Sequence, residues 1–148
     1  MNFESLAYEL LIELFEYFTV THLFHAFYGL NIRFTQLLVH VQLHDHFNFD
    51  SISKTNFDIV SQRYLSININ RIKSIHLLDD VETAQHINLF LSYGFQFHQF
   101  TYLKCLSLGH IYSEQIMNNI INELHQLHYL THLKIDKCRV DNDLINDG

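Results

Sequence analysis

Four short segments of this chain repeat one pattern, and they limit the folds open to it more than any other feature. IKSIHL ending at Leu77, LKCLSL ending at Leu108 and LTHLKI ending at Ile135 each read apolar-x-x-apolar-x-apolar. HDHFNF ending at Phe49 keeps the last two apolar places. The end positions stand 28, 31 and 27 residues apart. An apolar-x-apolar close suits a strand, whose successive side chains point to opposite faces. Helical spacings lie between the segments. Ser53 precedes Phe57, Val60 and Tyr64; residues 82–93 hold Ile87, Phe90 and Leu91 and stop at Gly94; Ser113 precedes Ile116, Ile120, Ile121 and Leu124. Serine caps helix N-termini and glycine follows helix ends. Strand–helix units at a near-constant period predict parallel strands with right-handed crossovers, stacked as a curved solenoid.

In such a stack the residues between the apolar positions share the concave face. They are His46 and Asn48, Ser74 and His76, Cys105 and Ser107, and His132 and Lys134. This face is polar and small, with three histidines. It reads either as a solvated sheet surface or as a floor for a protein partner.

The N-terminal stretch is of another kind. In SLAYELLIELFEYF, from Ser5 to Phe18, Leu6, Leu10, Leu14 and Tyr17 fall on one side of a helical wheel, and Phe18, Leu11, Phe15 and Tyr8 widen the band. Glu9, Glu13 and Glu16 are confined to a narrow wedge. A surface helix needs an apolar stripe of only about 100°, so this one calls for apolar neighbours on two sides. Ser5 is placed to cap it. A second helix is expected after Thr21, with Leu23, Phe24 and Phe27 and a stop near Gly29. Asn31 is placed to cap a third, with Phe34, Leu37 and Leu38 inward. So small a unit cannot enclose all these side chains. The surplus goes either onto the rest of the chain or onto another protein.

Composition closes other routes. The 148 residues are 48% apolar, 14% aromatic and 17% charged, which excludes disorder. A net charge of −7 with thinly spread Lys and Arg speaks against nucleic acid or a polybasic membrane patch. Apolar runs are too short to span a bilayer, and MNFESLAYE lacks the basic start of a signal peptide. With that, Cys105 and Cys138 read as reduced thiols of the cytoplasm or nucleus. Phosphate-cradling glycine loops are absent.

The twelve histidines include His40-x-x-x-His44-x-His46 and His125-x-x-His128-x-x-x-His132, but these loose spacings run from helix to strand and include no Cys, so no metal site is expected. Cys105 beside His132 has no orienting carboxylate or oxyanion hole, so no catalytic residue and no cofactor are expected either. Cys138 suits a small buried position, and Asp79-Asp80-Val81-Glu82 suits a helix start.

Two stretches resemble known families. Phe3 to Phe18, with Leu6, Glu9, Leu10, Leu11, Leu14 and Phe15, is similar to the F-box pattern L-P-x-E-L-L-x-x-I-F-x-Y-L. THLFHAFYGLNIRFTQLL is similar to that family's second and third helices, with Phe34 where a Trp or Phe often stands. The resemblance covers about residues 3–43. It implies a three-helix module that docks on the Skp-type adaptor of cullin–RING (SCF) ubiquitin ligases through Leu6, Ala7, Glu9, Leu10, Leu11, Leu14, Phe15, Leu23, Leu30 and Phe34. Ala7 departs from the family, which has a Pro there that commonly contributes to the adaptor contact.

The repeated segments resemble the start of the leucine-rich repeat L-x-x-L-x-L-x-x-N/C, with Cys138 at the N/C place of the last repeat. F-boxes followed by such repeats form a class of SCF substrate receptors. The resemblance implies an F-box module over residues 1–43 and a short right-handed βα solenoid over residues 44–148, an α/β repeat fold. The implied role is a non-catalytic adaptor that joins an unknown protein substrate to the ligase. Two alternatives stand beside it: a repeat-type scaffold whose F-box has lost adaptor binding, as Ala7 suggests, and an enzyme with a histidine site. The polar tail RVDNDLINDG reads as a capping end or as a point inside a longer receptor.

Overall fold

The computed structural model describes residues 2–40, 46–50, 52–78 and 86–136. Three helices come first: α1 (Tyr8–Phe15), α2 (Val20–Phe27) and α3 (Ile32–His40). The first starts later than the wheel predicts, and Ser5 does not cap it. Ser5 lies in a 3₁₀ turn, Phe3–Ser5, with its hydroxyl donating to the Asn2 carbonyl at 2.7 Å. Ala7 precedes α1 with an extended backbone and supplies no side-chain cap. The reason lies far along the chain. The Arg33 guanidinium donates to the carbonyls of Glu4 and Leu6 and lies 4.9 Å over the Tyr8 ring, holding this segment in a bend.

α1 ends at Phe15 because the N–H groups of Tyr17 and Phe18 bond only three residues back, to Leu14 and Phe15. Thr19, two residues before the expected start, then caps α2 by accepting from the His22 N–H at 3.3 Å. Gly29, at φ 78°, follows the end of α2 as expected. Asn31 caps α3, accepting from the Phe34 N–H at 2.9 Å.

Four parallel strands follow, β1 (His46–Asn48), β2 (Ser74–Leu78), β3 (Cys105–Gly109) and β4 (His132–Asp136), in the order β1-β2-β3-β4. Helical segments connect them. Ser53 caps α4 (Lys54–Ile59), accepting from Asn56 N–H at 3.3 Å. The helix then widens into a π segment, Val60–Leu65, where Ser66 N–H reaches the Ser61 carbonyl, and continues through α5 (Ser66–Asn68). The widening turns Val60, Ser61, Tyr64, Leu65 and Asn68 all inward. α6 (His86–Ser92) stops at Gly94, and Ser113 caps α7 (Glu114–Leu124) by accepting from Ile116 N–H at 3.3 Å. The acidic run expected at a helix start, residues 79–82, lies outside the described residues, as does Cys138.

One core runs through the molecule. In the helices, Phe27 packs 4.9 Å from Phe15 and 5.3 Å from Phe34. Tyr64 of the π segment joins the helices to the sheet, with Phe24 on one side at 5.7 Å and Phe47 on the other at 5.4 Å. Part of the N-terminal apolar surplus is therefore used inside the chain. Residues 41–45, around the expected division at 43 and 44, lie outside the described residues. No helix among the described residues is long and apolar enough to cross a membrane.

Tyr93, just past α6, donates its hydroxyl to Asp58 of α4. Desolvation, and then the Asp58 carboxylate, push its pKa from 10.0 up to about 12. The folded protein favours the neutral phenol, so this contribution to stability is complete below pH 10 and is lost as pH rises through about 12. In denaturant titrations the stability difference between the unmodified chain and Tyr93→Phe is therefore expected to stay constant below pH 10 and to shrink above it. A difference independent of pH across that range would contradict the assignment.

Candidate functional site

The outward face of the sheet has the arrangement expected from the repeat. The register places His46, Ser74, Cys105 and His132 in one row, and Asn48, His76, Ser107 and Lys134 in the next. Not all eight offer surface. Ser74 and Ser107 are buried, so they form the floor between larger neighbours. His46, Asn48, His132 and Lys134 are exposed, and His76 and Cys105 are half-buried. His132 Nδ1 lies 2.8 Å from the hydroxyl of its neighbour Thr131.

A groove of about 370 Å³ joins this face to the turn between α1 and α2. Glu16, Tyr17 and Phe18 form one wall, and His46, Asn48 and His76 the other. A second cleft of about 290 Å³ lies between α2 and α4. There His25 Nδ1 sits 2.8 Å from the Asn56 amide nitrogen. Among the described residues, no three His, Cys, Asp or Glu side chains gather where they could hold a metal ion. His44 falls outside the described residues. Cys105 is a free thiol paired in register with His132.

The residues expected at an adaptor contact divide into two groups. Leu11, Phe15, Leu23 and Phe34 are wholly inside the core, at 0 to 1% exposure. They are corrected here to bundle-holding residues, because a buried side chain offers nothing to a partner without unfolding. Ala7, Glu9, Leu10 and Leu30 are exposed, and Leu6 and Leu14 are half-buried. The surface also includes residues not singled out as contacts: Tyr8, Tyr17, Phe18 and Ile32. The first three belong to the apolar band of the wheel, but a wheel does not tell which part of a band the rest of the chain will cover. Arg33 gave no sequence signal, since its partners are 27 and 29 residues away.

Comparisons with protein-family models, curated proteins and solved structures return no match. Fold and site thus define a mixed α/β protein with a four-stranded parallel sheet, a polar outward sheet face and several exposed apolar side chains on its N-terminal helices and the turns that join them.

Proposed function

We propose that this chain is a non-catalytic adaptor of the F-box/leucine-rich-repeat kind. Helices α1–α3 would dock on the Skp-type adaptor of an SCF ligase, and the short βα solenoid would hold a protein substrate on its outward sheet face, in the cytoplasm or nucleus. The observation that carries this reading is the number of large apolar side chains left exposed on the N-terminal helices and the turns that join them. Leu10 is 52% exposed, Leu30 61%, Ile32 76% and Tyr17 86%, and Tyr8 and Phe18 lie open beside them in sequence. Single exposed apolar residues are ordinary, but six within residues 8–32 suit a contact surface. Ala7 adds support: its φ of −62° is the value a proline ring imposes, so the family's Pro fits there without strain. Such a protein works by proximity, raising the effective concentration of substrate near the ligase-bound ubiquitin, and requires no cofactor.

Co-purification with a Skp-type adaptor tests the reading. The unmodified chain is expected to form a one-to-one complex, Ala7→Pro to strengthen it, and Leu10→Asp with Leu30→Asp to weaken it about tenfold or more. Capture by the Pro variant alone would favour the scaffold reading, with a correct F-box fold and lost docking. Two folded proteins that both fail to bind would remove the ligase reading altogether.

A further inference from the structure

The groove between the α1–α2 turn and the sheet has a chemistry of its own. Glu16 is the one acid on its lining, and it is exposed and makes no ion pair with a described residue. Glu13 and Glu9 stand about one and two turns before it on the same wedge, also exposed and also without an ion pair to a described residue. Tyr17, 86% exposed, and Phe18, 44% exposed, add two rings to this wall. The floor differs. Ser74 lines the groove from β2 at only 4% exposure, and its hydroxyl makes no hydrogen bond to a described residue. Buried polar groups are nearly always paired, so this hydroxyl is placed for a partner that enters through the groove. His46, beside Ser74 in the register, and His76, two residues along β2, add ring nitrogens around it.

We infer that this groove holds an arginine side chain presented by a protein partner. The inference rests on the sheet-face half of the reading above and gives its partner a chemistry. An acidic wall on a chain of net charge −7 attracts cations and repels acidic or phosphorylated segments. A purely apolar side chain would leave the Ser74 hydroxyl unpaired, at the full cost of its desolvation. A long cationic side chain meets both conditions, because it lays its methylene stem on apolar surface and keeps its charge at the polar end. Tyr17 and Phe18 offer the apolar surface, and Glu16 and Ser74 the acceptors. Arginine suits this wall better than lysine. Its planar guanidinium stacks on rings and has donors enough for a carboxylate and a hydroxyl together. The groove's volume of about 370 Å³ lies near the lower end of the about 300–1,000 Å³ of ligand sites, which matches one or two residues of a peptide.

The test is an amide NMR titration of the full chain with the probe peptide acetyl-Gly-Arg-Gly-Arg-Gly-amide and its lysine and glutamate counterparts. The arginine peptide is expected to bind with a dissociation constant of about 1 mM or tighter, shifting the amides of residues 16–19, 46–48 and 74–76. The lysine peptide should bind about threefold more weakly and the glutamate peptide not at all. Glu16→Lys should weaken arginine binding by about tenfold or more, and Ser74→Val, which fills the floor and removes the hydroxyl, by about threefold or more. Glu114→Lys on α7 changes the net charge equally and should weaken it by less than about twofold. Circular dichroism of each variant confirms that the fold is kept. No shift at any peptide concentration, equal binding of the lysine or glutamate peptide, shifts confined to other residues, or equal loss from Glu16→Lys and Glu114→Lys would each overturn the inference. Adaptor capture is scored separately, because Glu16 and Ser74 are not among the expected adaptor contacts. Arginine binding at the groove by a chain that fails to capture the adaptor would sustain this inference and remove only the ligase half of the reading.

Discussion

Leu11→Asp is expected to unfold the N-terminal helices, whereas Leu10→Asp, one residue away, is expected to leave them standing. Leu11 is fully buried and Leu10 is 52% exposed. Removing a buried leucine costs about 3–5 kcal/mol through lost transfer energy and cavity formation. A carboxylate in its place adds an unpaired buried charge. Against a total stability of about 5–15 kcal/mol, such a change removes most of the margin. At position 10 the aspartate faces water, and the expected change is within about 0.5 kcal/mol. Thermal melting followed by circular dichroism checks the pair, with a fall of more than about 10 °C for the first variant and about 2 °C or less for the second. Equal falls would mean that the two exposures have been assigned wrongly. The contrast also governs any binding experiment on this surface, since loss of capture by Leu11→Asp reports folding and loss by Leu10→Asp reports contact.

Phe90→Ala is expected to have the second large effect, in the other half of the molecule. Phe90 of α6 is fully buried, with ring centroids of Phe95, Phe97 and Phe100 at 5.0, 5.2 and 5.8 Å. These rings hold the chain between α6 and β3 against the helix and so fix its return into the sheet. Deleting the central ring should cost about 3–5 kcal/mol, read as a lower denaturation midpoint with an unchanged slope. The exposed pair Tyr102 and Tyr129, stacked at 5.5 Å, offers the control. Tyr129→Ala there should cost no more than about 1.5 kcal/mol, the range of an aromatic pair. A Phe90→Ala protein as stable as the control would show that the cluster does not organise this region.

The parts of this fold that are legible in the sequence are those set by near neighbours. Asn31, Ser53 and Ser113 cap their helices because each accepts from an N–H three residues on, a contact written into the local spacing. The rows His46, Ser74, Cys105, His132 and Asn48, His76, Ser107, Lys134 follow from strand alternation, which admits no shift by one without reversing every side chain. Ser5 shows where this reasoning fails. It has the right chemistry for a cap, but Arg33 anchors the preceding carbonyls and moves the helix start past it.

The sequence by itself determined the strand register, three of the helix caps and the excess of apolar residues near the N-terminus, because periodicity and capping act over a few residues. Tertiary structure alone decided which of that excess is surface. The wheel places Leu10 and Leu11 in one band, and only the closing of the core, which takes in Leu11 and leaves Leu10 52% exposed, separates the buried residue from the exposed one. It also decided the π widening that sets Tyr64 between Phe24 and Phe47 and the groove between the α1–α2 turn and the sheet. Each of these depends on side chains distant in sequence competing for the same space, and that competition is settled only when the whole core closes.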